Sequence, residues 1–170
     1  MRVRMQSSLT ELMPEFRAFA RSIAISPSDS DDLVQDAVER ALQSDTAPRD
    51  KQALRRWMFK VIRNLNIDSV RKIRVRREYA QAHMRLHTET TSMSDTGRDV
   101  LIRLAFDALP PATREVLFLV DIMGLKYVEA AEVLNVPAGT VMSRLSRARK
   151  ILCEKIAGPV VGEITKNEKI

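Results

Sequence analysis

The stretch LKYVEAAEVLNVPAGTVMSRLSRARK, Leu125 to Lys150, has the rhythm of a helix-turn-helix. In its first helix Val128, Ala131 and Leu134 recur at three-residue steps and are expected to face inward, and the small Ala130 and Ala131 allow another helix to approach closely. Asn135, Val136 and Pro137 form the turn. In the second helix Val141, Leu145, Ala148 and Leu152 make the apolar stripe, which leaves Thr140, Ser143, Arg144, Arg147 and Lys150 outside. Short hydroxyls mixed with arginines suit the major groove, where Arg reaches guanine through two hydrogen bonds and Ser bonds several base edges. A short helix pair with a Pro/Gly turn also occurs with a merely solvated basic face, so spacing alone does not decide between the two.

Toward the N-terminus, a helix is expected from about Ala112 to Met123, with Gly124 as its C-terminal cap. The Pro110–Pro111 pair ends the helix before it, whose apolar residues are Val100, Leu101, Leu104, Ala105, Ala108 and Leu109. Residues 78–98 are polar and lose the helical period. Thr, Ser and Asp dominate the part from Thr88 to Gly97, which reads as an interdomain linker. Before the linker comes the cleanest helix in the chain. Leu54, Trp57, Met58, Val61, Ile62 and Leu65 keep strict helical spacing, Val70 and Ile73 continue the stripe, and Arg55, Arg56, Lys60 and Arg63 fall on other faces. Trp57 could serve as a stacking platform, but its place in the stripe favours core packing. Residues 44–52, SDTAPRDKQ, read as a loop. The helix before it carries apolar positions 34, 37, 38, 41 and 42, leaving Asp32, Gln35, Asp36 and Glu39 on the wet side, with Ser28 or Ser30 as the expected cap. Residues 9–25 form a first amphipathic helix through Leu9, Leu12, Met13, Phe16, Phe19, Ala20 and Ile23.

With 170 residues, five glycines and two tyrosines, the chain reads as all-α: two small helical domains joined by a flexible linker. The boundaries fall at 1–77, 78–98 for the linker, 99–157 for the helix-turn-helix domain and 158–170 for a C-terminal tail. A formal charge of +6 favours a polyanionic partner, and its distribution says more than the total. Residues 49–77 hold eleven Lys or Arg against two acids, whereas residues 27–46 hold six acids against Arg40. An acidic surface next to a strongly basic one suggests two different partners. Cys153 is the only cysteine, which excludes an intrachain disulfide and a Cys-based metal cluster and suits a reducing compartment. No apolar run approaches the roughly 20 residues of a membrane span and the N-terminus lacks a signal-peptide stretch, so a cytoplasmic protein without membrane insertion is expected. His83 and His87 lie four apart without a third ligand or an HExxH pattern, which favours a solvated pair over a metal site.

The run ALPPATREVLFLVDIMGLKYVEAAEVLNVPAGTVMSRLSRARKIL resembles the C-terminal domain of ECF (extracytoplasmic function) sigma factors, which binds the minus-thirty-five promoter element. The runs SDSDDLVQDAVERAL and LRRWMFKVIRNLNIDSVRK resemble their N-terminal domain, which holds RNA polymerase and melts the minus-ten element. The resemblance implies a transcription initiation factor with no catalytic residue, no cofactor and no metal. Its implied partners are core RNA polymerase, through the β′ coiled coil and the β flap, promoter DNA, and an anti-sigma factor acting in a stress response. Residue by residue it implies polymerase binding by Asp32, Gln35 and Asp36. The 44–52 loop would capture a flipped base, and Arg55, Arg56, Arg63 and Asn64 would contact the minus-ten strand. In the second domain it implies minus-thirty-five contacts by Thr140, Met142, Ser143, Arg144, Arg147 and Arg149, with Met142, Ser143 and Arg147 nearest the bases and Arg144 and Arg149 nearer phosphate. Met142 departs from the family, where a basic residue is frequent at that place. A simpler helix-turn-helix repressor would explain the second half and leave the first seventy-odd residues without a role. A decoy that sequesters an anti-sigma factor would carry a receiver domain, and none precedes the motifs.

Overall fold

A computed structural model describes residues 2–80 and 97–157, with side chains over 5–75 and 102–156. Helices follow one another as α1 (Arg2–Ile23), α2 (Pro27–Gln43), α3 (Lys51–Ala80), α4 (Gly97–Asp107), α5 (Pro111–Leu117), a π-helical segment (Phe118–Ile122), α6 (Tyr127–Leu134) and α7 (Ala138–Ala157). Among the described residues there is no strand, as an all-α chain requires. Two compact units result, the first holding α1–α3 with residues 131–135, the second α4, α5, the start of α6, and α7. Of the linker expected at 78–98, residues 81–96 lie outside the described residues, as do His83, His87 and the tail 158–170; residues 78–80 continue α3, and 97–98 begin α4.

In the first unit α1, α2 and α3 each pack on the other two. Phe16 and Phe19 from α1 meet Phe59 from α3 edge to face, with ring centroids 5.8 and 5.1 Å apart, the arrangement aromatic quadrupoles prefer. Leu54, Met58 and Ile62 of α3 and Ala37 and Ala41 of α2 are fully buried, the alanines letting the helices close up. The cap of α2 is Ser26, upstream of the two serines expected. Its hydroxyl accepts from the Asp29 backbone N–H at 3.1 Å and donates to the Asp29 carboxylate at 2.7 Å, while Pro27 occupies the first turn, where its missing N–H costs nothing. The loop after α2 is shorter than expected. Asp50 accepts from the Ala53 N–H at 2.8 Å, so α3 begins at Lys51 and claims two residues assigned to the loop. Trp57 is half-buried rather than part of the core.

In the second unit α4 and α5 both pack on α7. Val116, Leu119, Val141, Leu145 and Ala148 are buried, and Phe106 and Phe118 approach at 6.3 Å. Arg114 ties α4 to α5 by donating to the Asp107 and Leu109 carbonyls, which a helix end leaves without partners. The helix expected over 112–123 is α5 followed by the π segment, and Gly124 ends it at φ +70°, as a left-handed cap requires. Three residues expected on the apolar faces are exposed, Leu104 at 58%, Val128 at 63%, and Ala108. Glu129 accepts from the Lys126 N–H at 2.9 Å at the start of α6; on that helix Ala130, Ala131, Val133 and Leu134 are buried, residues 131–135 grouping with the first unit, and Val128, about 120° round from Leu134, is off that face. Asn135, at φ 52°, makes the turn, and the Pro137 carbonyl accepts from Thr140 and Val141 to open α7.

Candidate nucleic-acid and protein interfaces

On α7 the buried line of Val141, Leu145 and Ala148 fixes the orientation of every other side chain. At about 100° per residue, Thr140, Ser143, Arg144 and Arg147 share one sector about 100° wide, whereas Met142 and Arg149 sit together on the other flank. The sequence-expected residues of this helix thus form two groups. Met142, Ser143 and Arg147 are exposed, and Thr140 and Arg144 half-buried. The Ser143 hydroxyl donates to the Thr140 carbonyl at 3.0 Å, so toward a base edge it offers lone pairs. Arg149 is held by Asp121 of the π segment, its Nε and Nη2 donating to the two carboxylate oxygens at 3.0 and 2.6 Å. That hydrogen bonding first, and the carboxylate charge second, raise the Arg149 pKa above its ordinary value.

On α3, Arg56, Lys60 and Arg63 share an outward sector about 60° wide, and exposed Asn64 lies about 40° beyond its Lys60 edge, on the flank of Trp57. Arg55 points elsewhere. Its Nε donates to Glu15 of α1 at 2.5 Å, its guanidinium stands 5.3 Å from the Phe59 ring centroid, and its side chain is only 15% exposed. One turn earlier Lys51 pairs with Glu11, completing a two-rung ladder between α1 and α3. The Lys51 hydrogen bond, and then its charge, hold the Glu11 carboxyl below its ordinary value.

On α2, Asp32, Gln35 and Asp36 are all exposed. Asp32 and Asp36 line a cleft of about 210 Å³ together with Asp29, Leu33, Ile25, Asn66, Ser69 and Ile73, while Gln35 is not among its lining residues. The cleft therefore sets three carboxylates beside Ile25, Leu33 and Ile73, a surface for a cationic partner side chain with an aliphatic stem. Asn66 is held in place by donating to the Ile23 carbonyl at 3.2 Å. Sequence reading missed the Asn66, Ser69 and Ile73 side of this cleft, along with Asp121 and the ladder. Only the ladder left a trace, as acids at 11 and 15 facing cations at 51 and 55 with equal spacing. Among the described residues no three His, Cys, Asp or Glu side chains gather to hold a metal, and no helix is long and apolar enough to cross a membrane.

Residues 9–76 match the family described as Sigma-70 region 2, and residues 99–152 the one described as Sigma-70, region 4. The chain is 33% identical over 153 residues to the ECF RNA polymerase sigma factor EcfG of Rhodopseudomonas palustris (strain TIE-1), covering 87% of this chain and 82% of that protein. It is 27% identical over 150 residues to the RNA polymerase sigma factor SigV of Bacillus subtilis (strain 168), covering 85% of this chain and 86% of that one. Among solved structures, a chain of the co-crystal structure of the sigma factor RpoE in complex with the anti-sigma factor NepR from Bartonella quintana is similar with a TM-score of 0.71 at 26% identity, covering 89% of this chain and 96% of that one.

Proposed function

The chain belongs to the ECF RNA polymerase sigma factors, and from that premise we propose how its surfaces divide the work of starting transcription. As a sigma factor it binds core RNA polymerase and directs promoter-specific initiation, under the control of an anti-sigma factor. In our reading residues 1–77 hold polymerase and open the minus-ten element, and residues 99–157 read the minus-thirty-five element. The observation that supports this division is that the matched region 9–76 falls within the first helical unit and most of the matched region 99–152 within the second, each with charged outward faces of its own.

The α2 cleft with Asp32 and Asp36, and Gln35 beside it, receives the β′ coiled coil of polymerase, and the second unit meets the β flap. Arg56, Arg63 and Asn64 contact the minus-ten strand next to the 44–50 loop, where an extruded base is held. Extrusion costs a few kcal/mol of stacking, which the pocket and phosphate contacts offset. Arg55 serves this surface indirectly, by fastening α3 to α1. Thr140, Ser143 and Arg147 address bases, joined by Met142 from the other flank, Arg144 lies nearer phosphate, and Arg149 is engaged by Asp121. The chain contributes binding and positioning and no catalytic group, the nucleotide chemistry being the polymerase's own. An anti-sigma factor that covers both units excludes polymerase, and its release in a stress response frees them.

The polymerase assignment is tested by reversing the acidic face. Asp32→Lys with Asp36→Lys is expected to abolish capture of core polymerase while the helical circular dichroism stays unchanged, since both residues lie outside the buried stripe. Capture retained by the folded double variant would overturn it.

A further inference from the structure

Arg149 lies on the flank of α7 opposite Arg147, which is where a helix seated in the major groove meets the backbone of the other strand. Yet its guanidinium is already engaged through two donors by Asp121, in the fork geometry it would use on a phosphate. With 53% and 32% of the side chains exposed, the pair is screened by solvent and does little to hold the fold together. Its main effect is electrostatic. While the pair persists, Arg149 adds no net charge to the face of α7, and a phosphate must displace a carboxylate to reach it.

We propose that Asp121 is a specificity-determining residue: by engaging Arg149 it withholds one cation from sequence-independent phosphate contact. This rests on α7 being the DNA-contacting helix. Phosphate contacts strengthen binding to every sequence alike, whereas base contacts discriminate. A carboxylate that masks a phosphate-binding arginine lowers non-specific affinity and leaves the Ser143 and Arg147 side of the helix untouched. The masking also accounts for an acid at the edge of a basic surface, where an unpaired carboxylate would only repel DNA.

The test is a double-variant cycle on the full chain, titrated against a labelled duplex of scrambled sequence across a salt series, with thermal melts as a folding control. Arg149→Gln alone is expected to change affinity by less than about twofold with an unchanged salt slope. Asp121→Asn is expected to tighten binding and steepen the logarithmic slope by about 0.9, one additional phosphate contact, equivalent to about 3.5-fold more loss of affinity between 50 and 200 mM salt. Adding Arg149→Gln to Asp121→Asn should remove that gain, and Asp121→Glu, which keeps the carboxylate, should behave like the parent. Additive behaviour, with Arg149→Gln costing as much in the parent as beside Asp121→Asn, would overturn the masking role. Arg147→Ala separates the two readings. If it weakens binding to a promoter duplex while the pair behaves additively, only the Asp121 proposal falls, and if no α7 variant alters binding, the DNA assignment of α7 falls with it.

Discussion

Replacing Arg55 with Ala should damage the first unit's stability rather than remove a nucleic-acid contact. Three contributions add up. The pair with Glu15, whose side chain is 36% exposed, is partly screened and contributes about 0.5 kcal/mol. The guanidinium, 5.3 Å from the Phe59 ring centroid, adds about 0.5–1 kcal/mol. Truncation also removes the Cγ and Cδ methylenes of a side chain that is only 15% exposed, at about 0.8 kcal/mol for each, so the total comes to about 3 kcal/mol. For a helical unit of about 80 residues, each kcal/mol shifts the melting temperature by about 4–8 °C, which gives a drop of roughly 12–24 °C. The assay is thermal melting followed by circular dichroism, alongside binding of a single-stranded minus-ten oligonucleotide by holoenzyme well below both transitions. Arg55→Ala should melt early yet bind the strand nearly as the parent does, Glu15→Gln should reproduce part of the loss of stability, and Asn64→Ala, at an exposed position, should weaken strand binding with an unchanged melt. A folded Arg55→Ala protein that melts with the parent and fails to bind the strand would refute the reasoning.

Arg147→Ala is expected to weaken minus-thirty-five recognition by about 1–3 kcal/mol and to lose discrimination at one base pair, as measured by titration against a panel of single-base variants. Gly124→Ala forces a Cβ into φ +70° where no neighbouring atom lies within 4 Å, so the cost is the backbone's alone, about 1–2 kcal/mol, read as a lower denaturant midpoint for the second unit at an unchanged slope. Glu11 has a folded pKa below the ordinary 4.5, so its pairing with Lys51 stabilises the fold above that value and the contribution fades as the pH falls through the folded pKa. Glu11→Gln should therefore melt below the parent at neutral pH and converge with it in acid, and a difference independent of pH would contradict the pairing.

Much of the fold was legible because amphipathic helices announce themselves by period. The stripes of α1, α3 and α7 were readable from Leu9 to Phe19, Leu54 to Leu65 and Val141 to Ala148, all of which supply buried residues. Helix ends were harder to read, since several side chains compete for the same backbone donors: Ser26 caps α2 where Ser28 and Ser30 were equally eligible, and Asp50 draws the start of α3 forward into the expected loop. Val128 misled for a different reason. Three-residue steps drift round a helix by about 60° each, so Val128 stands about 120° from Leu134 and is exposed while Ala131 and Leu134 are buried. The charged surfaces were legible as composition, because six acids and eleven cations cluster in separate stretches. Which individual cations remain available to a partner was not. Arg55 and Arg149 are both engaged by acids distant in sequence, Glu15 and Asp121, and such pairing is decided by how helices pack.

The most direct measurement is run-off transcription with purified core RNA polymerase, the full chain and a library of genomic fragments. A sigma factor gives discrete transcripts from a subset of fragments that share spaced minus-thirty-five and minus-ten elements, and Asp32→Lys with Asp36→Lys abolishes them all. Specific duplex binding without any promoter-dependent transcript, or transcripts that survive reversal of the acidic face, would contradict the division of labour proposed for the two units.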